Sequence, residues 1–187
     1  MNKTLLLIMF VLTFYNTYGQ KRFPKFNYVT IQGDTISNKK TLLNKSTIII
    51  VGHISCPGML FLLRDLQKSS PDSIQTILLL ENTKEQILAF NSNDTNDTWG
   101  GMRQMFKIAP INFSTVTFCE KPKLERKKDG TVVIKNQCNK LKFKYGAFEV
   151  PKIYAINNNG QIITKQTGWY FNTTDPLGAI LQLFATK

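Results

Sequence analysis

The residues best suited to chemistry in this chain form one short run, Cys56-Pro57-Gly58-Met59. The run stands where a buried apolar stretch, residues 48–52, gives way to leucines at helical spacing. A thiol at the start of a helix meets unpaired backbone N–H groups and the positive end of the helix dipole, which stabilise its thiolate. The pattern therefore predicts a strand, a short turn and a nucleophilic cysteine at the N-terminus of a helix.

The two residues that follow the thiol favour its exposure. Pro57 suits the first turn of a helix, where no backbone N–H is missed. Gly58 lets the backbone of a partner come close to the sulfur. Neither residue is needed for core packing, so we expect an accessible Cys56.

A second pattern lies far down the chain. Pro151 precedes the apolar run Ile153 to Ile156, a turn rich in Asn, a second strand and then Gly168. The order and spacing of the two patterns resemble the thioredoxin superfamily, especially the secreted TlpA-like and ResA-like thiol-disulfide oxidoreductases. The resemblance runs from about Phe26 to the C-terminus, apart from an insertion near residues 119–144.

The resemblance implies a thioredoxin-like three-layer sandwich, with a central mixed sheet, helices on both faces and an N-terminal hairpin. It makes Cys56 the attacking cysteine and Pro151 a proline in cis that borders it. We expect no cofactor. Met59 falls where the second cysteine of a Cys-x-x-Cys motif stands. A thioether cannot attack a mixed disulfide, so the usual route of release is missing.

The other elements follow from local patterns. Gly33-Asp34 separates two short extended segments and indicates a hairpin with a two-residue turn. Residues 74–80 form an apolar run typical of a strand covered on both faces. Thr83 and Gln86 form a capping-box pattern that opens a helix. Strands that alternate with helices predict a layered α/β domain.

The first residues are typical of a secretory leader. Lys3 precedes an apolar stretch, and the small residue Gly19 suggests cleavage there. We therefore predict a signal peptide at residues 1–19, one domain at residues 20–187, and a secreted or periplasmic protein. The apolar stretch is too short to span a bilayer, so no stable membrane span is expected after cleavage.

The insertion at residues 119–144 is strongly basic. It holds nine Lys or Arg residues and three acidic ones, a net charge of +6 and half of the chain's +12. Asp129-Gly130 predicts a hairpin turn, and Cys119 and Cys138 flank it almost symmetrically. A disulfide between them would stabilise the hairpin by about 3 kcal/mol. Alternatively, one of these cysteines reaches Cys56 and replaces the missing thiol.

His53 is a further candidate, three residues before Cys56. Its imidazole, the Cys56 thiolate and the Met59 thioether would form a soft ligand set suited to Cu(I). We favour no metal, because the copper-delivery proteins of the superfamily use two cysteines and a distant histidine. His53 is then a residue at a strand end that tunes the thiolate.

Two classes of function remain. The first is a one-cysteine oxidoreductase that acts on a protein or small-molecule thiol or disulfide, with Cys56 as nucleophile beside Pro151. The second is a non-catalytic thioredoxin-fold binding module, with the groove beside Pro151 or the basic hairpin as its binding surface. The hairpin would suit an acidic partner. Nucleic acid is a poor fit, since no recognised binding module accompanies the charge.

Overall fold

The computed structural model of the protein describes residues 21–43, 45–69, 72–119, 123–129, 132–135, 151–168 and 176–185. Its elements, in chain order, are β1 Asn27–Val29, β2 Thr35–Ser37, a π-helical turn Asn38–Leu42, β3 Thr47–Gly52, α1 Pro57–Ser69, β4 Gln75–Leu80, α2 Lys84–Asn91, α3 Thr98–Met105, β5 Ser114–Thr117, β6 Lys123–Arg126, β7 Val132–Lys135, β8 Lys152–Ile156, β9 Ile162–Thr167 and α4 Pro176–Ala185.

Five strands form the central sheet, in the order β5-β4-β3-β8-β9. β3, β4 and β5 run parallel, whereas β8 and β9 are antiparallel to their neighbours. Every residue of β3 is buried, as expected of an Ile-rich strand covered on both faces. The sheet is therefore mixed, and its central strand ends at Gly52, close to the Cys56 turn.

Two apolar clusters fill the two faces of the sheet. On one face, the strands pack against α1, α2 and α4 through Met59, Leu60, Leu62, Leu63, Leu66, Ile87, Phe90, Leu177 and Ile180. On the other face, they pack against the N-terminal segment and the π-helical turn through Phe23, Phe26, Ile36 and Leu42. Helical elements thus lie on both faces, and the predicted three-layer α/β sandwich is confirmed.

Both predicted hairpins are present, but the loop of the N-terminal hairpin is longer than the predicted two-residue turn. Val29 of β1 pairs with Thr35 of β2, so residues 30–34 form the loop instead of a two-residue turn. Thr30 explains the longer loop, because its N–H donates to the Asp34 carbonyl (2.8 Å) and its hydroxyl accepts from the Asp34 N–H (3.1 Å). In the basic hairpin, Arg126 of β6 pairs with Val132 of β7, which leaves residues 127–131 between the arms.

Several predictions fall on residues outside the described ranges. They are the leader at residues 1–19, the second hairpin cysteine Cys138, and the peptide bond between Val150 and Pro151. Within the described ranges, no helix is long and apolar enough to cross a bilayer.

The capping box of α2 provides a test of local stability. The Thr83 hydroxyl accepts from the Gln86 N–H (3.2 Å), and the Gln86 side chain accepts from the Thr83 N–H (2.9 Å). Thr83→Ala should lower the free energy of unfolding by about 1 kcal/mol, measured by urea denaturation. Thr98→Ala is the matched control, because Asp97 and not Thr98 caps α3. Equal losses in the two variants would contradict the capping role.

Candidate functional site

Cys56 stands at the end of the turn that leaves β3, directly before the first residue of α1. Its backbone N–H donates to the His53 carbonyl (3.0 Å), and its carbonyl accepts from the N–H groups of Met59 (2.9 Å) and Leu60 (3.1 Å). The side chain is half-buried and is not part of a disulfide, while Pro57 beside it is exposed. Strand, turn, cysteine and helix therefore lie as the sequence predicts.

Pro151 lies beside the end of β3. Lys152 pairs with Val51, so Pro151 comes level with Gly52 on the neighbouring strand. A β-carbon built on Gly52 would lie 3.2 Å from the Met59 sulfur and 3.8 Å from the Pro151 α-carbon. The Pro151 carbonyl accepts from the N–H of Gly168 (2.8 Å), which extends the pairing of β8 and β9 at the open end of their hairpin. At Gly52, the side chain of Met59 on α1 and the backbone of Pro151 thus both come close to the end of β3.

Met59 occupies the position that the resemblance assigns to a second cysteine. Its side chain is fully buried, and it belongs to the same apolar cluster against which the Cys56 side chain packs. A buried thioether in this position is a core residue. It provides no thiol for exchange.

His53 is surrounded by polar partners. Its Nδ1 lies 3.1 Å from the Ser55 backbone nitrogen and 2.6 Å from the Ser55 hydroxyl. Its Nε2 lies 3.2 Å from the side-chain nitrogen of Asn82. The centre of its ring lies 6.1 Å from that of Trp99, on α3. Burial lowers the pKa of His53 below its usual value of 6.5, so the ring is held neutral near physiological pH.

Asn82 is the site residue that sequence reasoning missed. It is fully buried two residues after the end of β4, and its side-chain oxygen accepts from the Ile54 N–H (2.9 Å) inside the Cys56 turn. One signal could have found it. A polar residue just past the end of a buried parallel strand lies at the same edge of the sheet as the turn after β3, where polar groups gather.

The contacts of His53 and Met59 do not favour the Cu(I) hypothesis. Donors approach both ring nitrogens of His53, and the Met59 sulfur packs toward Gly52 in the core. In the part of the chain that the structure describes, no three His, Cys, Asp or Glu side chains are grouped so that they could hold a metal ion.

Cys119 lies just beyond β5, at the same edge of the sheet as the Cys56 turn. It is nearly buried and disulfide-bonded. β4 separates β5 from β3, so the axes of the strands that carry the two cysteines are about 10 Å apart. Because Cys138 lies outside the described residues, its pairing with Cys119 stays a prediction.

The comparisons with solved structures show the fold. Over 87% of this chain, a protein of Chlorobium tepidum assigned as thiol:disulfide interchange protein DsbE matches across 94% of its own length, with 11% identity and a TM-score of 0.55. A thiol-disulfide oxidoreductase of Bacteroides fragilis matches 87% of this chain across 98% of its own, with 13% identity and a TM-score of 0.52. A thiol-disulfide isomerase of Corynebacterium glutamicum matches 88% across 97%, with 17% identity and a TM-score of 0.51.

The fold is thioredoxin-like. That conclusion confirms the predicted fold class, and the neighbours above are thiol-disulfide exchange proteins by their descriptions. No protein-family model matches the chain, and no curated protein matches its sequence at a significant level. At identities of 11–17%, the likeness carries the fold and leaves the chemistry to be argued from the site.

The lowered pKa of His53 makes stability depend on pH. Below the usual value of 6.5, the unfolded chain protonates His53 before the folded protein does, so the unfolded state binds more protons. The free energy of unfolding should therefore fall as the pH drops below about 6.5, and His53 should contribute no pH dependence above it. The measurement is urea denaturation across this range, with His53→Gln as the reference. A difference between the two proteins that does not vary with pH would contradict the assignment.

Proposed function

We propose that the protein is a thiol-disulfide oxidoreductase that works with a single active cysteine, Cys56, beside Pro151. The observation that carries the proposal is the half-buried Cys56 thiol at the N-terminus of α1, on the sheet edge where β8 begins. The helix N-terminus stabilises the thiolate, which is the nucleophilic form. The thioredoxin-like fold is consistent with this activity.

In the proposed reaction, the Cys56 thiolate attacks one sulfur of a substrate disulfide. A bond forms between Cys56 and that sulfur as the substrate S–S bond breaks, and the second substrate sulfur leaves as a thiolate that takes a proton from water. We propose that Pro151 is in cis directly before β8 and that its backbone holds the backbone of the substrate beside Cys56. As a proline it has no backbone N–H of its own to donate.

The mixed disulfide must then be released by another thiol. Met59 provides none, and Cys119 is already disulfide-bonded. We therefore propose that an external thiol attacks the substrate sulfur, so that the Cys56 thiolate leaves and a new disulfide joins substrate and external thiol. This step restores the protein without a change in its own oxidation state.

We place the reaction outside the cytoplasm. The leader pattern at residues 1–19 supports export, and an oxidising compartment is where a structural disulfide such as the proposed Cys119–Cys138 bond persists. A secreted or periplasmic protein of this kind meets the protein and small-molecule disulfides on which it would act.

The second candidate function is a thioredoxin-fold binding module without catalysis. The β6–β7 hairpin favours it, because Lys127 and Lys128 are exposed between the two arms and the surrounding insertion is basic. In that case the hairpin binds an acidic partner, and Cys56 is a small residue packed against the core. The next experiment separates the two functions.

Thiol alkylation tests whether Cys56 is a nucleophile. Near neutral pH, iodoacetamide should modify the native protein about tenfold faster than an unperturbed thiol, because the helix N-terminus stabilises the thiolate. The matched control is the same protein in urea without reductant, where α1 is absent and the rate should fall to the ordinary value. Mass spectrometry should find one label, and Cys56→Ser should remove it. A native rate at or below the rate in urea would favour the binding module.

A second thiol at position 59 tests the missing step. Met59→Cys should place a sulfur one helical turn from Cys56 and create a dithiol that reduces a protein disulfide such as that of insulin. Leu63→Cys is the matched control, because Leu63 is equally buried on α1 but two turns from Cys56, about 10 Å along the helix. Both variants remove core volume and should lose about 2 kcal/mol of stability, so folding is checked first. Equal activity in the two variants would contradict the proposed site geometry.

A further inference from the structure

Asn82 is a fully buried polar residue, the second residue after β4. Two neighbours determine which end of its side-chain amide is the oxygen. The oxygen accepts from the Ile54 N–H (2.9 Å), and the nitrogen donates to the side-chain oxygen of Gln86 (3.3 Å). That Gln86 atom also accepts from the Thr83 N–H, so it must itself be an oxygen. The amide nitrogen of Asn82 therefore faces Nε2 of His53 (3.2 Å).

The other ring nitrogen of His53 also faces a donor. The Ser55 backbone N–H points at Nδ1 from 3.1 Å. A neutral imidazole has one nitrogen that accepts, whereas the imidazolium has an N–H on both. Protonation of His53 would thus direct an N–H at a donor on each side. The Ser55 hydroxyl, 2.6 Å from Nδ1, donates or accepts as the tautomer requires.

We infer that Asn82 is a positioning residue for Cys56, which holds the Cys56 turn through Ile54 and keeps the neighbouring His53 uncharged. The inference rests on the proposed function of Cys56. An imidazolium at His53, whose carbonyl accepts from the Cys56 N–H in the same turn, would favour the Cys56 thiolate. Asn82 excludes that charge, so the reactivity of Cys56 depends on the helix N-terminus and does not follow the titration of a histidine.

Asn82 also links the site to the rest of the fold. Its amide joins the capping box of α2, made by Thr83 and Gln86, to the turn between His53 and Cys56. The Glu81 N–H donates to the Gly52 carbonyl (2.8 Å), so a backbone hydrogen bond also joins the ends of β4 and β3 beside the bond between Asn82 and Ile54. A change at Asn82 should therefore alter the position of the turn that carries Cys56.

The charged groups on the surrounding elements are few. Cys56 lies on the same turn, Glu81 precedes Asn82, Lys84 and Glu85 begin α2, and Asp97 and Arg103 belong to α3. The Asp97 carboxylate accepts from the first N–H groups of α3, and Arg103 donates to the carbonyls of Ser92 and Ile108. Burial lowers the pKa of His53. The donors that face its two ring nitrogens favour the neutral ring and therefore act in the same direction.

The experiment uses the fact that the chain has one histidine. NMR titration of the imidazole in the full chain reports His53 without ambiguity. Wild type should titrate below the usual value. In Asn82→Asp, a carboxylate oxygen replaces the amide nitrogen and accepts from Nε2–H, so the pKa of His53 should rise above that of wild type. An unchanged His53 titration in Asn82→Asp would overturn the inference.

Asn157→Asp is the matched control. Asn157 is also a buried asparagine whose side-chain oxygen accepts from two backbone N–H groups, but it lies beyond the opposite end of β8 from Pro151. The Asn157→Asp variant should leave the pKa of His53 unchanged, and an equal shift in both variants would overturn the inference.

Ser55→Ala is a second variant, at an exposed position that needs no rearrangement of the core. It removes an acceptor for an Nδ1 proton and should lower the pKa of His53 further, and no change there would also overturn the inference.

Cys56 alkylation against pH supplies the functional readout. Wild type should show no step that follows His53, whereas Asn82→Asp should gain one, a several-fold rise in rate at pH values where His53 is protonated. His53→Gln in the Asn82→Asp background should remove that step. A shifted titration without the step would overturn the positioning role. A slow Cys56 in every variant would instead overturn the proposed function, while the titration would still decide the state of His53.

Discussion

The absence of a side chain at Gly52 is the constraint on which the site depends. The Met59 sulfur and the Pro151 backbone both approach the space that a β-carbon would fill. A β-carbon there would lie 3.2 Å from the Met59 sulfur, so the buried Met59 side chain, in the first turn of α1 after Cys56, would have to shift. Because protein interiors are close-packed, such a shift is transmitted to its neighbours. The close approach at Gly52 therefore sets where the thiol stands relative to β8.

The same tight packing explains the polar network beside the thiol. Within the turn from His53 to Cys56, Ile54 is fully buried, so its backbone N–H is shielded from water. Asn82 satisfies the Ile54 N–H, which would otherwise be a costly unpaired donor. Its own amide nitrogen must then find acceptors, and it finds them in Gln86 and His53. Satisfying one backbone group thus determines the surroundings of the histidine in the Cys56 turn.

The site departs from a dithiol exchange site in one chemical respect. A thioether fills the core position one helical turn after Cys56, so covalent exchange at Cys56 needs a second thiol from elsewhere. Cys119 lies at the same sheet edge, but β4 intervenes and its sulfur is held in a disulfide. In the proposed function, Cys56 attacks the substrate disulfide and an external thiol completes the release step.

The sequence by itself determined the features that depend on neighbours along the chain. The apolar run of β3, the thiol before α1 and the capping box of α2 are local patterns whose physics lies within a few residues, and the structure has them where the patterns predict. The predicted turn of the N-terminal hairpin is three residues shorter than the observed loop, residues 30–34. The hydroxyl and the backbone N–H of Thr30 both bond to Asp34 and favour the longer loop. Only the tertiary structure decided the role of Asn82, 26 residues after Cys56, and the closeness of Met59, Gly52 and Pro151. These contacts arise where separate strands end at one edge of the sheet, and the pairing of strands across long separations is not encoded in any short stretch of sequence.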